Sequence, residues 1–121
     1  MKGNNSMTKE TLKILGMKDL NLFREEAYIA GNWSGAITGE MDDVFNPSTG
    51  KLLGRVPRCG QHETRIAIEA ANKAMPAWKA APAKERAKIL RMWSELLVMH
   101  KKDLAILMTA EQGKPLVESE G

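Results

Sequence analysis

From Gln61 onward, about half the chain, apolar residues return at the helical period, and this constrains the fold more than any other feature. Over 62–75, Ile66, Ala70 and Ala74 stand at i, i+4 and i+8, flanked by Ala67 and Ala71. So many alanines predict a thin helix that packs closely on a neighbour. Pro76 cannot continue a helix cheaply, so a stop is expected there, with Trp78 in the linker AMPAWKAAP. Over 83–100, Leu90, Trp93 and Leu97 take core spacing, widened by Ile89, Leu96 and His100. The opposite face carries Lys84, Lys88, Arg91 and Glu95. A third helix over 102–112 groups Leu104, Leu107 and Met108 and stops at Gly113, and Pro115 opens a fourth. Glycine fits the left-handed position after a helix, and proline fits the first turn of the next. On spacing alone, Trp78, Met92, Trp93, Met99 and Met108 read as core.

The first half is punctuated differently. Residues 1–7 read as a disordered tip. Thr8 caps a short helix over 9–15, which Gly16 ends. In AYIAGNW, Ala27, Ile29, Gly31 and Trp33 would share one strand face, with Asn32 and Ser34-Gly35 as turn positions. MDDVF (41–45) reads as a strand, NPSTG (46–50) as a turn, and KLLGRVP (51–57) as a returning strand that Pro57 confines to an edge or an end. Two or three short strands need a covering layer. The segment therefore reads as α+β, an N-terminal antiparallel strand unit followed by three to four helices. Residues 1–22 form an N-terminal extension. Because a helix opened at Pro115 is left after seven residues, the chain is expected to be the front part of something larger.

The composition fits one small soluble domain or a piece of one: 121 residues, 43% hydrophobic and 27% charged. The formal charge of +3 is interspersed with acids, as in EEAY and KERAK, and no basic stripe with interleaved aromatics offers a nucleic-acid surface. Cys59 is the single cysteine, so an internal disulfide and a Cys-only metal site are excluded, and a reduced, cytoplasmic setting is expected. No apolar run approaches the roughly 18 residues of a membrane span. The start has no apolar signal region, and the first 22 residues contain no arginine.

Candidate chemistry is sparse. Arg55 and Arg58 stand near Cys59, and nearby cations favour a thiolate. His62 follows three residues on, but a cysteine–histidine nucleophile needs a third, orienting group, and none is evident. Cys59 reads better as a small, partly buried turn residue. His62 reads as a first-turn residue and His100 as a partly exposed residue at a helix end. With Cys59 and Glu63 they match no metal-ligand spacing. The acid pairs Glu25/Glu26 and Asp42/Asp43 read as solvated. No GxGxxG or GxxxxGK[ST] loop is present, and Gly113-Lys114 lacks the upstream glycine of a phosphate loop.

The order of the motifs resembles the N-terminal quarter of an aldehyde dehydrogenase. It is carried by YIAGNW (28–33), VFNPSTGKLLGRVP (44–57), ETRIAIEAANKAMPAW (63–78), ERAKILRMWSELL (85–97) and DLAILMTAEQGKP (103–115), and it covers about 23–121. LFREEAYIAGNW (22–33) and MTAEQGKPLVES (108–119) look most like succinate-semialdehyde dehydrogenases. The resemblance implies an α/β fold in the intact family and NAD- or NADP-dependent oxidation of an aldehyde, here succinate semialdehyde to succinate in 4-aminobutyrate degradation. It also implies a small aldehyde substrate and self-association for the full-length enzyme, with no nucleic acid and no membrane partner. The family's nucleophilic cysteine, general-base glutamate and dinucleotide-binding residues all fall after Gly121. This chain alone is therefore expected to be an inactive scaffold that binds no dinucleotide, and Cys59 is not the nucleophile. Some members bind a monovalent cation through positions that correspond to Val44, Phe45 and Glu111. Relatives commonly have aspartate where this chain has His62, so the helix opening at QHET is expected to fray. The competing readings are a non-catalytic helical interaction module and an aldehyde dehydrogenase of other specificity.

Overall fold

The computed structural model describes residues 5–121. The chain divides into two compact units. The first comprises Met1–Glu25, Asp42–Val56 and His100–Gly121, and the second Glu26–Met41 and Pro57–Met99.

In the first unit, α1 spans Asn5–Ile14, earlier than the expected start. Part of the segment read as a disordered tip is thus helical, and residues 1–4 lie outside the described residues. The stop is as expected. Gly16 takes φ 97, its N–H donates to the Lys13 carbonyl at 3.0 Å, and the Met17 N–H donates to Leu12 at 3.1 Å. This pair of bonds, with an apolar contact across it, is a Schellman cap. Leu12 (0% exposed), Met17 and Phe23 form the core cluster, against which Leu20, Leu22, Ile106 and Leu107 pack. The N-terminal segment is thus built into this unit.

Strands β3 (Met41–Phe45) and β4 (Leu52–Pro57) pair as a two-stranded sheet. The NPSTG turn closes it: the Asn46 N–H donates to Lys51 at 2.9 Å, and Gly50 takes φ 67. Leu53 is buried, and so is Gly54, where a Cβ would collide with the Phe23 ring. Helix α4 (Lys101–Gln112) opens directly after its N-cap residue, His100. Its buried residues are Asp103, Ala105 and Ala110. The inward face thus runs through Asp103, Ile106, Leu107 and Ala110, while Met108, expected inside, is exposed. Gly113 adopts the left-handed conformation (φ 81) that ends α4, and Pro115 caps the short α5 (Leu116–Ser119).

In the second unit, the run read as one strand is a hairpin. Strands β1 (Ala27–Ile29) and β2 (Asn32–Ser34) pair antiparallel with Tyr28 opposite Trp33. The two-residue connection Ala30-Gly31 has φ 52 and 84, as a type I′ turn requires. Gly31 and Asn32 therefore exchange the roles expected of them. The reversal also brings the Tyr28 and Trp33 rings together, with centroids 5.1 Å apart. Helix α2 runs Gln61–Ala80 straight through Pro76, so Trp78 is helical rather than in a linker. The alanines around the proline have the highest helix propensity and sustain the helix. It ends at Ala81, whose extended ψ of 137 is what a residue before proline adopts.

Helix α3 spans Ala83–Met99 and buries nothing. Leu90, Trp93 and Leu97 are exposed, as are Met92 and Met99, contrary to the expected core, because no element of this unit covers them. Among the described residues, no helix is long and apolar enough to cross a membrane.

Candidate functional site

The sequence motifs converge most closely in the first unit, where the NP turn meets the corner after α4. A Cβ on Gly113 would lie 2.9 Å from Pro47 Cγ, so glycine is required there by contact as well as by φ. Beside this contact opens a cavity of about 260 Å³, lined by Asn46, Ser48, Ile106, Thr109, Gly113 and Leu116 among others. Its polar groups are mostly occupied locally. Asn46 Oδ1 accepts from the Ser48 N–H at 2.9 Å and from the Thr49 N–H at 3.3 Å, which fixes the turn. The hydroxyls of Thr109 and Ser119 are 2.8 Å apart and tie α4 to α5. The Lys114 ammonium donates to the Glu118 carbonyl at 3.2 Å and so helps close the α5 turn. Val44 and Phe45 close β3 just before Asn46, and Glu111, exposed, lies in the last turn of α4 just before Gly113.

Each unit also has one buried carboxylate that acts as a clamp. Asp103, 7% exposed, accepts the Lys18 N–H at 3.0 Å on Oδ1 and the Asp19 N–H at 2.8 Å on Oδ2. These bonds to Lys18 and Asp19 hold its pKa below the ordinary 3.8, against the cost of burial, with minor help from His100 and the Lys18 side chain. Glu63, 6% exposed, accepts the Ile37 N–H on Oε1 and the Gly60 N–H on Oε2, both at 2.8 Å. The bonds from Ile37, from its own amide and from Gly60 hold its pKa below 4.5. The expected fraying at QHET does not occur, because Glu63 reaches back to Gly60 and also ties the loop at Ile37 to the helix start. The signal was readable as a glutamate at the third helical position. Its partner at Ile37, 26 residues away, was not.

The remaining candidates separate rather than assemble. Cys59 is exposed, not partly buried, and its N–H donates to the Pro57 carbonyl at 2.9 Å. The Arg58 guanidinium stands 3.9 Å from Glu40. Arg55 pairs with Asp43 at 2.8 Å, and its N–H donates to Glu25 at 2.8 Å. The acids Glu25 and Asp43, read as solvated, are therefore structural partners of β4. His62 lies in the first turn of α2, and His100 is the half-exposed cap between α3 and α4. Among the described residues, no group of three His, Cys, Asp or Glu side chains could hold a metal. The arrangement organises turns and helix ends.

The model of the aldehyde dehydrogenase family matches residues 33–121. The succinate-semialdehyde dehydrogenase [NADP(+)] GabD of Escherichia coli strain K12 is 57% identical over 87% of this chain and 22% of its own length. The glutarate-semialdehyde dehydrogenase of Pseudomonas putida is 55% identical over the same shares. The crystal structure of an E. coli NADP-dependent enzyme superposes with a TM-score of 0.85 at 57% identity, covering 87% of this chain and 22% of that one. The chain thus spans about a fifth of the length of the relatives it matches.

Proposed function

The chain belongs to the aldehyde dehydrogenase family, and on that premise we propose that it provides scaffold to an NAD(P)-dependent enzyme that oxidises succinate semialdehyde to succinate. The observation that carries this reading is its 57% identity to the E. coli succinate-semialdehyde dehydrogenase. The Asn46 turn, the Gly113 corner and the two carboxylate clamps fix backbone, which supports a scaffold role. In this reading the attacking thiolate, the water-activating glutamate and the dinucleotide site come from sequence beyond the matched segment. A second substrate, glutarate semialdehyde, is favoured by the 55% identity of the Pseudomonas putida relative. Both are short aldehydes bearing a carboxylate, so the class is better supported than the chain length.

The Val44 and Phe45 carbonyls and the Glu111 carboxylate are oxygen donors of the kind a hard cation takes. We propose that they hold a monovalent cation in the complete enzyme; this is supported by their places in one unit, Val44 and Phe45 at the end of β3 and Glu111 in the last turn of α4.

The test is direct. Purified chain is titrated with NAD⁺ and NADP⁺ by calorimetry and then assayed with succinate semialdehyde. No heat of binding and no dinucleotide reduction are expected. Turnover by the chain alone would overturn the scaffold reading.

A further inference from the structure

The cavity beside the Pro47–Gly113 contact has one wall that the family match does not account for. Leu15 lines it, and Leu15 belongs to the N-terminal segment, outside the matched residues 33–121. This wall is fixed from both sides. Three residues before it, Leu12 is fully buried in the cluster against which Ile106 and Leu107 pack. Three residues after it, Lys18 donates its N–H to Asp103. Across the cavity, Asn46 is held by the turn it closes, and the Gly113 corner packs against Pro47. Every lining residue lies in the first unit, so the cavity belongs to that unit alone.

Its volume of about 260 Å³ exceeds the roughly 150 Å³ of an apolar cavity that takes up benzene. Leu15, Ile106, Ala110 and Leu116 supply apolar wall, and no lining residue is charged. An ion would give up hydration there without meeting a counter-charge, so a charged ligand is disfavoured. One polar group keeps spare capacity. The Thr109 and Ser119 hydroxyls stand 2.8 Å apart. Each hydroxyl has one donor and two acceptor sites, so their mutual bond uses one donor and one lone pair. The pair retains a second O–H and further lone pairs, and Thr109 lines the cavity. We propose that this cavity is a binding site for a neutral, mainly apolar molecule somewhat larger than benzene that carries one hydroxyl or carbonyl group, with Thr109 as its polar contact. The semialdehydes named above carry a carboxylate and do not fit this class.

The experiment titrates hexanol into the methyl-labelled chain and follows the methyl resonances by NMR. Saturable shifts are expected at Ile106 and Leu116, with a Kd on the order of 1 mM from burial of the alkyl chain. The methyls of Leu96 and Leu97, exposed on α3 in the other unit, should show no saturation. Thr109→Val keeps the shape, removes the hydroxyl and should weaken binding about 3- to 10-fold, the effect of one neutral hydrogen bond. Leu116 is 43% exposed, so Leu116→Trp should keep the helical circular dichroism of the parent and abolish saturation, which preserves the test should Thr109→Val unfold. Hexanoate should bind at least tenfold more weakly than hexanol. A second arm repeats the titration on the E. coli enzyme carrying this chain in place of its matching segment, where the same resonances should respond. Absence of saturable shifts at Ile106 and Leu116, or equal response at Leu96 and Leu97, overturns the proposal. So does binding that the free chain shows and the chimera loses, since other polypeptide would then fill the cavity. Hexanoate binding as tightly as hexanol refutes the neutral class, and unchanged affinity in folded Thr109→Val refutes the polar contact.

Discussion

Replacing Asp103 with alanine removes the acceptor for two backbone donors at once. The Lys18 and Asp19 amides, at 3.0 and 2.8 Å, then face a buried position with no partner. A hydrogen bond to a charged group contributes about 1.5–3 kcal/mol net. The two bonds share one carboxylate and are not additive, so a loss of about 2–3 kcal/mol is expected for the pair. At 1.4 kcal/mol per tenfold change, that is roughly 30- to 140-fold faster hydrogen exchange at Lys18 and Asp19. The assay is amide exchange followed by NMR at each residue. The Ile37 amide, held by Glu63 in the other unit, serves as the internal control and should keep its rate. Asp103→Asn retains one acceptor oxygen and should fall between parent and alanine. Unchanged exchange at Lys18 and Asp19 in Asp103→Ala would refute the clamp, and a uniform rise that includes Ile37 would show global destabilisation in its place.

Other consequences follow from single positions. Ala30 sits at φ 52, where a side chain costs about 1 kcal/mol unless it is asparagine or aspartate, so Ala30→Asn should raise stability by about 0.5–1 kcal/mol in urea denaturation. Gly113→Ala meets both a φ of 81 and Pro47 Cγ at 2.9 Å and should lose about 1–2 kcal/mol by the same measurement. The pKa values of Asp103 and Glu63 are depressed in the folded chain, so their stabilisation is complete above the ordinary 3.8 and 4.5. It is lost as pH falls from those values through the lower folded ones. Exchange protection at Asp19 and Ile37 should therefore hold at neutral pH and weaken only under acid. Loss of protection near neutrality would contradict the assignment.

Helix positions were legible wherever local chemistry decided them. Gly16 and Gly113 ended helices as expected, and NPSTG turned the chain as its proline, asparagine and glycine dictate. Pro76 misled, because a proline penalty of about 3 kcal/mol was weighed without the alanines on either side. The Ala30-Gly31 turn was missed because alanine is a poor turn residue and its positive φ is imposed by the pairing of Tyr28 with Trp33. Burial was the least legible property. The spacing of Leu90, Trp93 and Leu97 correctly divides α3 into two faces, but spacing carries no information about whether a neighbour covers one of them. The site was legible as motifs. The long-range bonds of Asp103 to Lys18 and Asp19, 85 and 84 residues apart in sequence, required the fold.

The central claim, that this segment supplies architecture while the chemistry and substrate choice lie elsewhere in the enzyme, is tested most directly by a segment exchange. This chain replaces the matching part of the E. coli succinate-semialdehyde dehydrogenase, and kcat/KM is measured with succinate and glutarate semialdehydes. The account predicts a folded enzyme with both values, and their ratio, close to those of the parent. A folded chimera that has lost turnover, or whose preference has moved between the two aldehydes, would contradict it.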